Sequence, residues 1–223
     1  MRGEDYMRSR MPHQIEIDWI RHGKTLANEK KCYLGRTQEA LSERGRREIC
    51  EKKQSYPAAD VVVGSPMLRC IQTAELLYPG RDVKTIDGFR EMDFGIFEGK
   101  NYLELSAAPE YQAWIDSNAL MPIPGGESRK AFIRRCQDGM QELVAWLDAL
   151  ALGDDGCRRA AAIVHGGTIM ALLSTYDLCG RDYFSYSCEN GGGYRSILCW
   201  AYAEEKGIYD VVLKNVMKLD CKV

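Results

Sequence analysis

The chain has 223 residues, enough for one domain with a buried core or for two small ones, and its 45% hydrophobic and 28% charged content is that of an ordinary globular protein. A formal net charge of −2 gives no electrostatic reason to expect nucleic acid or an anionic membrane as a partner. No apolar run approaches the ~18 residues that suggest a membrane span.

The charged N-terminus MRGEDYMRSRMPHQ lacks the apolar centre of a signal peptide, so residues 1–14 are expected to form a partly disordered leader on a cytoplasmic protein. Within residues 15–223, IEIDWI (Ile15 to Ile20) puts Ile15, Ile17 and Trp19 on one face with the period of a strand. LSERGRREICEKKQ reads as a helix capped by Ser42, and DVVVGSP (Asp60 to Pro66) as an almost wholly apolar strand of the kind covered on both faces. Ser65 and Pro66 predict the cap and first turn of a helix running to about Tyr78, and DVKTI (Asp82 to Ile86) a third strand. NALMPIPGGES (118–128) is a loop ending on Ser128, which caps an amphipathic helix carrying Phe132, Cys136, Met140, Leu143 and Leu147. That helix is expected to stop at Gly153 to Gly156. AAAIVHGGT (Ala160 to Thr168) reads as strand, glycine turn and helix, and SILCWAY and IYDVVLKNV as two late strands joined by AEEKG. Alternating strands and helices with buried runs imply a single α/β domain, a three-layer α/β/α sandwich around a mostly parallel sheet, with a cap excursion at about residues 91–126. The nine cysteines contain no C-x-x-C pair and are read as free thiols, suiting neither a zinc site nor a disulfide scaffold.

Two of the three histidines sit at the C-terminal end of a strand, before glycine: His22 after DWIR, and His165 after AAIV and before Gly166-Gly167. In open α/β sheets ligands bind at those ends, and the N–H groups of the following helix favour an anion there. The strand DVVVG leads into a helix bearing Arg69, and Arg21 adjoins His22. Singly, each of these residues has an ordinary structural reading: a core histidine, a surface arginine, a tight turn. Jointly they describe a pocket for a phosphate dianion.

These residues carry a resemblance. RHGKT with Asn28 three residues on matches R-H-G-x-T-x-x-N, and GRTQEALSERG, SPMLRCIQTA, FREMDFGIFEG, PGGES and IVHGGTI follow in order. From about residue 17 to beyond 170 the chain resembles the histidine phosphatase superfamily, the phosphoglycerate mutase-like proteins. The resemblance implies that fold and an enzyme working through phosphohistidine without a metal or other cofactor. It implies His22 as nucleophile, Arg21, Arg69 and His165 around the phosphoryl group, and Glu91 as proton donor. It departs from the family at Gln38 and Ala40, where many members carry aspartate and proline, and at Phe97, where tryptophan is usual.

Elementary chemistry suits these roles. Phosphoryl transfer needs positioned cations around the equatorial oxygens, and arginine's planar fork donates two bonds at once. A nucleophilic imidazole must be unprotonated, which nearby guanidinium groups favour, and a leaving alkoxide needs a proton. Chemistry alone leaves Asp93 and Glu98 beside Glu91 as candidates for that acid. Thr25 and Asn28 either contact phosphate or cap their loop, and Gly166 and Gly167 offer backbone donors. Lys100, Tyr102 and Arg36 are candidates for the rest of the substrate, with solvated surface as the alternative. The leading reading is a metal-independent phosphomonoesterase that takes a small phosphate ester and releases inorganic phosphate. EMDFGIFEG is more like the phosphatase branch, including α-ribazole phosphatases, and the stretch from Tyr102 to Pro124 lacks the tryptophan-, tyrosine- and proline-rich insertion of mutases. The alternatives are a phosphoglycerate mutase and a non-catalytic phosphate-binding or interaction module. A serine hydrolase would need G-x-S-x-G, which is absent.

Overall fold

The computed structural model describes residues 13–150 and 159–219. Its six strands form one sheet, in the order β3-β2-β4-β1-β5-β6: β1 (His13–Arg21), β2 (Val61–Gly64), β3 (Val83–Thr85), β4 (Arg159–Val164), β5 (Gly193–Ala203) and β6 (Ile208–Lys218). The first four pair in parallel, and β5 and β6 add an antiparallel edge beyond β1. The late strands read from SILCWAY and IYDVVLKNV are these two. β1 begins at His13, so His13 and Gln14 are strand where the sequence suggested leader; residues 1–12 lie outside the described residues.

Strand alternation builds two cores. In β1, Ile15, Ile17 and Trp19 enter the larger core while Ile20 enters the smaller; in β4, Ala160, Ala162 and Val164 go one way, Ala161 and Ile163 the other. Helices α2 (Glu43–Lys52) and α3 (Leu68–Leu77) cover the smaller core through Ile49, Cys70, Ala74 and Leu77. Helices α6 (Arg129–Leu150) and α7 (Gly166–Tyr176) cover the larger through Phe132, Met140, Leu143, Ile169 and Leu172. Fully burying one such side chain contributes about 1.5–3 kcal/mol. Two covered faces explain why β2, and β4 after Arg159, are apolar.

Helix caps match the sequence in part. Ser42 Oγ accepts from the Gly45 N–H, and Ser128 Oγ from the Ala131 N–H. Ser65, predicted to cap α3, does not: the helix starts at Leu68 with Met67 at its N-cap. Gly166 and Gly167 are the first residues of α7 rather than a separate turn, with His165 as N-cap. The predicted end of α6 at Gly153 to Gly156 lies outside the described residues, as do Cys157 and Cys221; the seven described cysteines are free thiols. The excursion after β3 holds α4 (Tyr102–Leu105) and α5 (Pro109–Asp116), preceded by α1 (Leu26–Glu29) far upstream after β1. Among the described residues no helix is long and apolar enough to cross a membrane.

Candidate active site

Because β1, β2, β3 and β4 are parallel, their C-terminal ends share one edge of the sheet. His22 follows β1 and donates its N–H to the Val164 carbonyl of β4; Ser65 follows β2 and donates to Ile163; His165 follows β4. Glu91 arrives a few residues after β3 through a 3-10 turn, Asp87–Phe89. The edge therefore gathers residues separated by up to 143 positions, from His22 to His165.

His22 is 3% exposed, and its Nδ1 lies 2.7 Å from the carbonyl oxygen of Gly23. A carbonyl only accepts, so Nδ1 carries the proton and Nε2 keeps the lone pair. Burial first, then the charges of Arg69 and Arg21, hold the imidazole well below its ordinary pKa, which leaves it neutral. Its loop is pinned from several sides. The Gly23 N–H donates to Thr73 Oγ1 at 3.0 Å, and Asn190 Nδ2 donates to the His22 carbonyl at 3.0 Å.

His165 is fully buried, with its ring centroid 5.1 Å from that of His22. Its Nδ1 accepts from Arg69 Nε at 3.3 Å, so Nε2 carries the proton and donates to Ser65 Oγ at 2.8 Å. Burial and then Arg69 depress its pKa as well. The remaining Arg69 bonds go to the carbonyls of Thr37, Leu34 and Gly35. Together they use four of the five guanidinium N–H donors. Arg21 donates through Nη1 to the Cys188 carbonyl at 2.7 Å, while its buried Nε–H has no partner.

Glu91 is 8% exposed; one carboxyl oxygen accepts from the Met92 N–H at 2.9 Å and the other from the Gly167 N–H at 3.0 Å. Burial pushes its pKa above the ordinary carboxylate value, against the pull of both N–H groups and of Arg69 and Arg21. The competing carboxylates are otherwise engaged. Glu98 binds the Gly35 and Arg36 amides and the Thr37 hydroxyl, and Asp93 accepts from the Gly95 N–H and faces Arg36 at 3.8 Å.

A cavity of about 500 Å³ opens over this edge, walled by Arg21, His22, Asn28, Glu91, Gly166 and Gly167 among others. Arg69, His165 and Thr25 lie fully buried outside its wall. Thr25 and Asn28 cap each other's backbone N–H groups reciprocally, which is the loop-capping role. Gly167, read as a backbone donor to phosphate, donates its N–H to Glu91 Oε2. Gly166 lets the Arg21 guanidinium lie close, since a methyl there would stand 3.3 Å from its Cζ. Arg36 pairs with Asp93 and Glu127, and Tyr102 lines a smaller neighbouring cavity.

Over residues 17–192 the chain matches the histidine phosphatase superfamily (branch 1). It belongs to that family. The adenosylcobalamin/α-ribazole phosphatase of Salmonella typhimurium is 28% identical over 161 residues, 70% of this chain and 76% of that protein. An Erwinia tasmaniensis protein named probable phosphoglycerate mutase GpmB is 28% identical over 168 residues, 72% of this chain and 74% of that one. The crystal structure of the α-ribazole phosphatase from Shigella flexneri superposes with a TM-score of 0.73 over 94% of this chain and 98% of that one; at 21% identity this is a likeness of fold. The histidine phosphatase fold is thus the fold of this chain, and its family and phosphatase relatives support a phosphatase.

Sequence reading missed three contributors. Ser65 looked like a helix cap but accepts from His165, and Asn190 had no motif. Arg135 sits mid-helix in α6, where a charge usually signals solvent, yet it donates to the carbonyls of Gly88, Arg90 and Glu91 at 3.0–3.1 Å. It is held by Glu127, the glutamate of PGGES, through two bonds of 2.8 and 2.9 Å. Only the PGGES stretch hinted at this anchor for the Glu91 segment.

Proposed function

We propose that the protein is a phosphomonoesterase that works through a phosphohistidine at His22. The supporting observation is the pairing, across one cavity, of a neutral imidazole whose Nδ1–H is tied to the Gly23 carbonyl with a buried carboxyl of raised pKa. In the first step the Nε2 lone pair of His22 attacks phosphorus. The P–O bond to the alcohol breaks, and the Glu91 proton passes to the leaving oxygen. In the second, water attacks the phosphohistidine and gives a proton to the Glu91 carboxylate. Phosphate leaves, and the histidine and the acid are restored.

The Arg21 guanidinium on the cavity wall meets the equatorial oxygens as charge develops, with the buried charge of Arg69 behind it. His165 turns its Nε2–H from Ser65 toward the same oxygens. The positive field comes from side chains and backbone, so no metal is required. His22→Ala is expected to keep its circular dichroism spectrum and lose phosphate release from p-nitrophenyl phosphate, whereas a chelator leaves the wild type unchanged. Wild-type turnover in His22→Ala, or activity lost to chelator and restored by a divalent metal, would sink the proposal.

A further inference from the structure

Beyond the catalytic residues, the cavity wall is largely apolar and carries five aromatic rings. Tyr33, Phe94, Trp114, Tyr183 and Phe184 all line it. Tyr33 packs against Phe94 at 5.1 Å and edge-on against Trp114 at 5.9 Å between ring centroids, while Tyr183 and Phe184 meet edge-on at 5.1 Å. The volume of about 500 Å³ is that of a site for a drug-sized ligand, far larger than a phosphoryl group requires. Rings fixed against one another present flat apolar faces that need little reorganisation to receive another ring.

Apart from the catalytic residues, the one charged side chain on this wall among the described residues is Arg129. Arg129 stands over the rings of Tyr183 and Phe184, 5.2 and 5.6 Å from their centroids. It gives one hydrogen bond, to the Asn118 carbonyl at 3.1 Å, and pairs with no carboxylate among the described residues. The indole N–H of Trp114, a residue 8% exposed, is buried without an acceptor. Glu91 is the one carboxylate on the wall among the described residues, and it belongs to the chemistry. A buried donor without a partner is costly, and a cation with no carboxylate partner is free to take an anion.

Resting on the phosphatase reading above, we propose that the substrate is the phosphate ester of an alcohol that carries a planar aromatic ring and, beyond the ring, an anionic group. The ring stacks in the aromatic wall, and the anion meets Arg129. A filled cavity also excludes water from Glu91, which keeps its carboxyl protonated until the leaving oxygen needs it. An ammonium group at this end would face a cation.

The test compares four primary-alcohol phosphates of similar leaving oxygen: n-propyl, benzyl, 4-carboxybenzyl and 4-(aminomethyl)benzyl phosphate. The expected kcat/KM for benzyl exceeds that for n-propyl by about tenfold or more, the scale of a single good hydrophobic contact. The carboxylate raises it further and the ammonium lowers it. Arg129→Gln collapses the ratio of carboxybenzyl to benzyl phosphate, and Arg129→Lys, which keeps the charge, retains part of it. Equal kcat/KM for propyl and benzyl, preference for the ammonium, or an unchanged ratio in Arg129→Gln would overturn this inference. If esters are hydrolysed through phospho-His22 without these preferences, it fails alone. If none of the esters is hydrolysed and His22 takes no phosphoryl group, the phosphatase reading fails with it.

Discussion

Gly167→Ala tests the proposed role of Glu91 as general acid separately from the rest of the site. Gly167 lies in the first turn of α7 with no positive φ, so alanine suits its backbone and adds helix propensity of about 1 kcal/mol. The added methyl, however, would overlap Glu91 Oε1, stand 3.0 Å from Glu91 Cδ and 3.2 Å from Phe132 Cε1. Phe132 is fully buried and cannot retreat, so the carboxyl must move by about 1 Å, a displacement able to cost about 10²-fold in rate. General acid catalysis is worth about 10²–10⁴-fold, and it matters only where the leaving oxygen is a poor one. The expected outcome is a loss of about 10²-fold in kcat on an alkyl phosphate, a loss of a few-fold on p-nitrophenyl phosphate, and an undiminished melting temperature. Parallel steady-state assays on the two esters and a thermal melt measure all three. Equal losses on both esters, or full activity on the alkyl ester, would refute the placement of Glu91 as the acid.

The pH profile of kcat/KM on an alkyl phosphate should be a bell. His22 must be neutral, and its pKa is depressed, so activity is lost on the acid side only as pH falls through a value well below the ordinary 6.5. Glu91 must be protonated, and its pKa is raised, so activity declines as pH rises through a value above the ordinary 4.5; Glu91→Gln should remove that alkaline limb. An acid limb at the ordinary histidine value would contradict the buried, arginine-flanked environment of His22. Arg135→Lys, which cannot span Glu127 and three carbonyls at once, should cost about 1–3 kcal/mol of stability by denaturant titration. It should also shift the alkaline limb and lower kcat on alkyl esters more than KM changes; lost stability with an unmoved profile would make Arg135 only structural.

Much of the site's framework was legible because the parallel sheet converts sequence position into place. A histidine after an apolar strand and before glycine has one edge to occupy, so His22 and His165 could be set together from IEIDWI and AAAIV alone. What escaped was anything decided by a neighbour distant in sequence. Ser65-Pro66 has the local chemistry of a cap, but the helix begins at Leu68 and leaves the hydroxyl to His165 Nε2. The glycine pair after His165 looked like a turn. It is helical, and its glycine character answers to the close approach of Arg21 and Glu91. Chemistry alone could not separate Asp93 and Glu98 from the Glu91 that the resemblance favoured, and their partners do tell them apart: loop amides hold Glu98 and Asp93, while Glu91 reaches α7. The start of β1 at His13 rather than Ile15 reflects pairing with Trp200 and Cys199 of β5, which no local pattern at His13-Gln14 announces.

The central claim is a covalent phosphoryl-His22, and the stereochemical course at phosphorus tests it whether or not the intermediate accumulates. Two successive in-line displacements, first by His22 Nε2 and then by solvent oxygen, return the phosphorus to its starting configuration. A single attack by water inverts it. With a phosphate ester made chiral by oxygen isotopes and hydrolysed in isotopically labelled water, the account predicts inorganic phosphate formed with retention. Inversion would contradict it.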